Sequence, residues 1–326
     1  MSKIFITGGA GYVGAVLTPY LISKGHDVTV YDLMIYGEDV LKKHKQLTII
    51  KGDIRDKKLL EKSIEGQDIV IHLACISNDP SFELDPNLGK SINLDSFEPL
   101  VKMSRDKNIS RFIYASSSSV YGLKEEKDIN EEVSLSPLTD YSKFKADCEK
   151  ILFKYNNENF TTIVIRPATV CGYSPRQRLD VVVNILTNLA YHKNEISVFG
   201  GEQLRPNIHI LDMARAYEFL INAPKNKVEK EIFNAGYENQ TVNKLASIVK
   251  KVIGEHVSIK KIHSDDNRSY HISSKKIKDV LGFSSQKTIE DAVRDLKEAF
   301  DKKILKDTLN DEMFFNIKRM NSIKLK

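Results

Sequence analysis

The stretch Thr7-Gly8-Gly9-Ala10-Gly11-Tyr12-Val13-Gly14 follows directly on the apolar run Ile4-Phe5-Ile6. Glycines at this spacing, between a strand pattern and a helix pattern (Val13, Val16, Leu17, Tyr20, Leu21), read as a phosphate-carrying turn. A helix N-terminus presents unpaired N–H groups and a partial positive charge. Glycine lets the backbone turn sharply and come close to the ligand. A second apolar run, Val28-Thr29-Val30-Tyr31, ends in Asp32. A carboxylate there accepts hydrogen bonds from a ribose and repels a 2′-phosphate, so the expected ligand is NAD rather than NADP. Glycines also cluster in turns that bind nothing; the strand before, the helix after and the closing acid together favour the dinucleotide.

Working outward, short apolar runs at Ile4–Thr7, Val28–Asp32, Thr48–Lys51, Ile69–Leu73, Phe112–Ser116 and Thr162–Arg166 alternate with helical patterns. Those patterns lie at Val13–Lys24, Lys57–Ile64, Leu88–Lys107 and Tyr141–Tyr155. Val- and Ile-rich runs, apolar on consecutive positions, belong to a parallel sheet covered on both faces. The alternation predicts an α/β fold with a doubly wound parallel sheet of the Rossmann type. After Arg166, helical patterns at Val181–Tyr191, Asp212–Ala223, Val242–Ile253 and Ile289–Phe300 surround short apolar pieces at Ile208–Leu211 and Glu231–Asn234. The expected division is a dinucleotide-binding unit over residues 1–166 and a smaller mixed α/β substrate unit over 167–326. Segments such as 205–240 are left open to return to the first unit. The polar, lysine-rich segment past Lys302 is expected to be loosely held.

Composition narrows the function classes. The excess of five positive charges is scattered along 326 residues, apart from Lys318, Arg319, Lys324 and Lys326. This suits anionic small molecules rather than a nucleic acid. No apolar run approaches membrane-spanning length. Cys75, Cys148 and Cys171 lack metal-ligand spacing, so no metal is expected, and an odd, sparse set points to free thiols in a reducing cytoplasm. The N-terminus enters a strand at once and does not read as a targeting peptide.

The chemistry-bearing residues lie in three stretches. Tyr141 and Lys145, four apart, share one helix face. An ammonium near a phenol favours the phenolate, which takes a proton from an alcohol near neutral pH. Taken alone, the pair also reads as two exposed residues of an amphipathic helix. The fifth strand ends in Ser116-Ser117-Ser118-Ser119, at the sheet edge where ligands of open α/β sheets bind. After the third strand, Asp53 and Ile54 suit an adenine, while Asp53 or Asp56 also suits a helix cap.

Glycine turn, Asp32, Asp53-Ile54, His72-Leu73-Ala74, the serine run and Tyr-x-x-x-Lys together resemble the extended short-chain dehydrogenase/reductases. More narrowly, the chain is similar to the NAD-dependent nucleotide-sugar epimerase/dehydratase family. The likeness continues through Arg166–Gly172, Ser174–Asp180 and Leu204–Asp212. It implies Tyr141 as general base, Lys145 steadying the phenolate and the nicotinamide ribose, and Ser117 orienting the sugar hydroxyl. It implies Gly8, Gly11, Tyr12, Val13 and Gly14 at the NAD pyrophosphate, Asp32 on the ribose, and Asp53 and Ile54 at the adenine. Leu73 and Ala74 would line the cofactor, with Asn93 supporting that wall. Ser118, Asn184, Arg178 and Arg205 would hold the nucleotide sugar, Arg suiting its diphosphate by charge and fork geometry. For Arg178 and Arg205 the alternative is an ion pair, with Asp180 or Asp212. The likeness also implies a homodimer.

Departures from the family pattern bear on the reaction. Its 4,6-dehydratases carry an Asp-Glu pair where this chain has Ser118-Ser119. The GDP-fucose-synthase type carries a cysteine at the place of Ser119. Hydride chemistry at one carbinol, C4, remains. The resemblance therefore implies a nucleotide-sugar 4-epimerase, with a net C4 dehydrogenase, a dehydratase or a non-catalytic NAD-sensing scaffold as alternatives. Thr169 and Cys171 replace the usual Asn and Tyr or Phe of the Arg-x-x-Asn-Val-Tyr-Gly turn, and the run that follows resembles a branch that includes heptose-nucleotide C4 dehydrogenases. Cys171 reads as a buried, inert thiol rather than a substrate contact.

Overall fold

The computed structural model describes residues 1–77, 79–124, 126, 128–264, 269 and 271–325, so Lys326 of the C-terminal basic cluster lies outside the described residues. In chain order the strands among them are β1 (Lys3–Thr7), β2 (Asp27–Asp32), β3 (Leu47–Lys51), β4 (Ile69–His72), β5 (Arg111–Ala115), β6 (Thr161–Pro167), β7 (Thr169–Cys171), β8 (Glu195–Phe199), β9 (Leu204–His209), β10 (Glu231–Ala235), β11 (Glu238–Thr241) and β12 (Ser258–Ile262).

Seven of these form one parallel sheet in the order β10-β6-β5-β4-β1-β2-β3. Successive side chains of a strand point to opposite faces, and both faces are buried here except along the edge strand β3. Ile4, Ile6, Val28 and Val30 pack on one side with Leu17, Leu21 and Tyr217. Phe5, Tyr31, Val70 and Phe112 pack on the other with Leu60, Leu100 and Leu152. The chain reverses direction across the sheet between β1 and β4, which opens a crevice at their carboxyl ends. The apolar piece near Glu231 becomes β10 and joins this sheet beside β6. The remaining strands form two small sheets, β11-β9-β7 and β12-β8, over a core that includes Val183, Leu186, Val198, Leu245 and Val293.

Two expectations are corrected. The helix expected over Leu88–Lys107 is three pieces: Pro86–Lys90, a π-helical turn over Ser91–Asp95, and Phe97–Asp106. The wide turn brings Asn93 inward, where its amide accepts from the Ile76 N–H (2.8 Å) and donates to the Ile76 carbonyl (3.0 Å). Apolar spacing alone does not reveal such an insertion. The segment past Lys302 is not loose. It forms a short helical turn (Glu312–Phe314) and the helix Asn316–Ile323, which fold back on the loop after β2. Arg319 Nε donates to the Ile35 carbonyl (2.6 Å) and the Tyr36 hydroxyl donates to Asn316 Oδ1 (2.9 Å). Apolar side chains add to that docking: Met320 joins the core beneath the sheet, and Phe314 and Phe315 pack on the cluster of Leu179, Leu296 and Phe300.

Candidate active site

The crevice is a cavity of about 590 Å³, within the ~300–1,000 Å³ range of small-molecule sites. Its floor is the glycine turn. Gly8 has φ +74°, and a Cβ there would lie 2.6 Å from the Ala74 nitrogen. A Cβ on Gly14 would lie 2.6 Å from the Gly8 carbonyl oxygen, so the helix Gly14–Ser23 begins tight against the turn. Asp32, at the end of β2, accepts from the N–H of Ala10 (3.0 Å) and of Met34 (2.8 Å), and burial pushes its carboxyl up. Asp53, Ile54, Leu73 and Ala74 line the same cavity. Asp53 pairs with Arg55 (2.6 Å), while Asp56 caps the helix Lys57–Ile64. The cap thus belongs to Asp56, and Asp53 faces the cavity. Asn93 is not in the lining; it braces the wall from behind through Ile76.

Tyr141, Lys145 and Ser117–Ser119 line the cavity from the other side of the switch point. The helix Asp140–Lys154 starts at a capping box between Thr139 and Ser142, which fixes where Tyr141 leaves the backbone. Lys145 is buried. Its ammonium donates to the Ala115 carbonyl (2.6 Å) and sits 5.8 Å from the Tyr141 ring centre and 5.0 Å from that of Tyr114. Beneath it, His72 is bonded to Thr7 (2.7 Å) and held neutral by burial, then by the Lys145 charge, to about pH 3. Ser117 Oγ accepts from the N–H (3.1 Å) and hydroxyl (2.9 Å) of Ser119.

The second lobe contributes Arg176, Arg178, Asp180 and Arg205. Arg178 Nε bonds Asp180 (2.8 Å), so the ion-pair reading holds for it while it also lines the cavity. Arg205 donates to the Leu204 carbonyl (3.0 Å), and Asp212 is engaged by Arg215 (2.6 Å). Ser118 lines the cavity, buried. Asn184 does not reach it. Fully buried, its amide donates to Tyr12 Oη (2.9 Å) and the Arg178 carbonyl (2.8 Å) and accepts from the Gly172 N–H (3.0 Å). It ties the lobes together instead. Cys171 is fully buried and burial pushes its thiol up, as an inert thiol requires.

The sequence model of the NAD dependent epimerase/dehydratase family matches residues 4–236. The chain belongs to that family. It is 29% identical over 272 residues to the Bacillus subtilis protein described as an uncharacterized UDP-glucose epimerase, YtcB, covering 79% of this chain and 84% of that one. A putative UDP-glucose 4-epimerase of Methanocaldococcus jannaschii is 28% identical, over 77% of this chain and 82% of its own. Among solved structures, the Thermotoga maritima UDP-glucose 4-epimerase with UDP-glucose superposes with a TM-score of 0.83 at 25% identity, covering 93% of this chain and all of that one. The Streptomyces venezuelae dTDP-glucose 4,6-dehydratase DesIV shares the fold (TM-score 0.83, 20% identity, 94% of this chain, 100% of that one).

The residues present fit the cofactor in the family's name. The glycine cradle admits no Cβ at Gly8 or Gly14, and a carboxylate, Asp32, closes β2 in the cavity lining. Sequence reasoning for an NAD dependent epimerase/dehydratase left out Tyr36, Ser77, Asn316 and Met320, all in the lining, and gave Arg176 no role. Arg176 stood in a quoted motif; the other four carry no local signal, since they meet only through the folded-back C-terminus.

Proposed function

We propose that this chain is a nucleotide-sugar 4-epimerase working through oxidation at C4. One observation carries the reading. Tyr141, Lys145 and Ser117 share a cavity whose acids are, among the described residues, Asp32, Asp53 and Asp180. Each of these is committed elsewhere: Asp32 to backbone N–H groups, Asp53 to Arg55, Asp180 to Arg178. Among the described residues of the lining, no carboxylate stands beside Ser117, Ser118 and Ser119 to drive elimination of water from C5 and C6, and Glu149, which Ser116 meets, is engaged by Arg166 outside the lining.

In this reading residues 1–166 hold NAD and 167–326 hold the nucleotide sugar. The pyrophosphate lies over Gly8, Gly11, Tyr12, Val13 and Gly14, the ribose on Asp32, and the adenine beside Asp53 and Ile54. Leu73 and Ala74 form the wall that Asn93 supports. When bound, NAD supplies a two-electron acceptor and, reduced, the matching donor. Tyr141 takes the proton of the C4 hydroxyl as the C4–H pair of electrons departs, and returns it when the carbonyl is reduced on the other face. The Lys145 ammonium stabilises the phenolate by charge. Ser117 donates to the C4 oxygen, Ser118 contacts the sugar, and Arg205 holds the diphosphate.

A panel of UDP-, GDP-, CDP- and dTDP-sugars, read by product NMR and by absorbance of reduced cofactor, tests this. The expected result is a C4 epimer with catalytic NAD, lost about 10²–10⁴-fold in Tyr141→Phe. Stoichiometric reduced cofactor with a keto sugar, a 4-keto-6-deoxy product, or cofactor binding with no turnover would overturn it.

A further inference from the structure

Two arginines in the loop between β7 and the helix Val182–Lys193 are packed in a way the sugar chemistry does not use. Arg176 is 4% exposed, and its guanidinium lies flat on the Tyr36 ring, 3.5 Å from the ring centre. Its Nη2 donates to Asn316 Oδ1 (2.5 Å), but Nε and Nη1 are buried with no hydrogen-bond partner among the described residues. Arg178 bonds Asp180 through Nε and Ser77 through Nη1 (3.3 Å), and its Nη2 is likewise buried and unmatched among the described residues. Buried donors left unmade are costly, and charged ones most of all. Three such nitrogens on two adjacent like charges describe a place for an anion with several oxygens.

Position says which anion. The loop is fastened onto the glycine turn. Ser174 Oγ donates to the Tyr12 carbonyl (2.8 Å), and the Tyr12 hydroxyl donates to the Gly172 carbonyl (2.7 Å). The charges of Arg176 and Arg178 are felt at Tyr12 and Tyr36, and that of Arg176 at Asp32. Both arginines therefore lie over the turn and the end of β2, across from the N-terminus of Gly14–Ser23. Their guanidinium groups bond or stack on Tyr36, Ser77, Asp180 and Asn316.

We propose that Arg176 and Arg178 are the second jaw of a clamp on the dinucleotide pyrophosphate, closing it against the glycine turn from the opposite lobe. Asn316 locks the jaw. Its Oδ1 accepts from Arg176 and Tyr36, and its Nδ2 donates to Ser77 (2.9 Å). The C-terminal helix thereby becomes part of the cofactor site, and Arg178 passes from the substrate's diphosphate to the cofactor's. The inference rests on the cofactor placement proposed above and not on the sugar reaction.

Calorimetric titration of cofactor-stripped protein with NAD, ADP-ribose and UDP tests it. Arg176→Met should weaken NAD and ADP-ribose alike, by about 30–100-fold, and change UDP less than threefold. Its ligand-free melting temperature should match or exceed that of the wild type, because an incompletely paired buried charge is removed. Arg176→Lys keeps the charge without the fork. It should weaken NAD about tenfold and covers the case in which the methionine variant does not fold. A loss confined to UDP, or NAD affinity within threefold of wild type in both variants, overturns the clamp. Wild-type protein that binds no NAD would instead bring down the cofactor placement itself.

Discussion

Ser117 Oγ accepts two hydrogen bonds from Ser119, one from its backbone N–H and one from its hydroxyl. A serine hydroxyl has two acceptor positions and one proton. With both acceptor positions filled, the Ser117 proton is left for a ligand oxygen in the cavity that both residues line. Ser117→Ala should therefore lower kcat about 10²–10³-fold, the usual effect of removing one preorganised donor. Ser119→Ala frees Ser117 to rotate and should cost about tenfold. Steady-state rates at saturating nucleotide sugar read both. A larger loss in Ser119→Ala than in Ser117→Ala would mean that Ser119, rather than Ser117, meets the substrate.

Asp32 is engaged on both oxygens by backbone N–H groups, which aims its remaining lone pairs at the cavity. Asp32→Asn replaces one acceptor with an NH₂ that must face either Ala10 N–H or Met34 N–H. It also removes the charge that repels a 2′-phosphate. Affinity for NAD should fall at least about tenfold, and the ratio of NADP to NAD affinity should rise. Parallel titrations with the two cofactors measure it; an unchanged ratio would place the ribose away from this carboxylate.

The first half of the fold was legible because its signals are local. Ile4-Phe5-Ile6 and the following glycines specify strand, turn and helix within a dozen residues, and β1 to β6 lie within a residue or two of the runs read from sequence. What escaped depends on contacts distant in the chain. Asn184 has the residue type of a ligand contact, yet its amide is consumed by Tyr12, 172 positions away. Asn316 and Tyr36, 280 apart, meet by hydrogen bonds that leave no periodic trace. The π-helical turn that delivers Asn93 to Ile76 lies inside what reads as one long helix.

The helix carrying Tyr141 and Lys145 is anchored one turn further on by Glu149. Its carboxylate takes a two-point grip from Arg166 (2.9 and 2.6 Å) and a hydrogen bond from Ser116, and Arg166 Nη1 continues to Tyr121 (2.8 Å). All of these are buried. Removing one member strands a charge, which costs about 3–5 kcal/mol. Glu149→Ala should lose that much in denaturant unfolding, whereas the double variant Glu149→Leu/Arg166→Met should recover most of it. If the double variant were as unstable as the single one, the grip rather than the stranded charge would hold the helix.

His72 gives the fold an acid weakness with a defined sign. Burial beside Phe97, Phe112 and Tyr114, then the Lys145 charge, keep the folded imidazole neutral to about pH 3, against an ordinary value of 6.5. Below pH 6.5 the unfolded chain binds a proton that the folded chain refuses. The stability contribution is therefore whole above 6.5 and declines as pH falls towards 3, by about 1.4 kcal/mol per pH unit. His72→Asn leaves an amide facing Thr7 and removes the titration. Between pH 6.5 and 5 the wild type should lose about 2 kcal/mol more than the variant in urea unfolding. Other titrating groups are common to both proteins and cancel in that difference. Parallel pH profiles would mean that His72 takes up its proton in the folded state, and so that water or a carboxylate reaches it beneath Lys145.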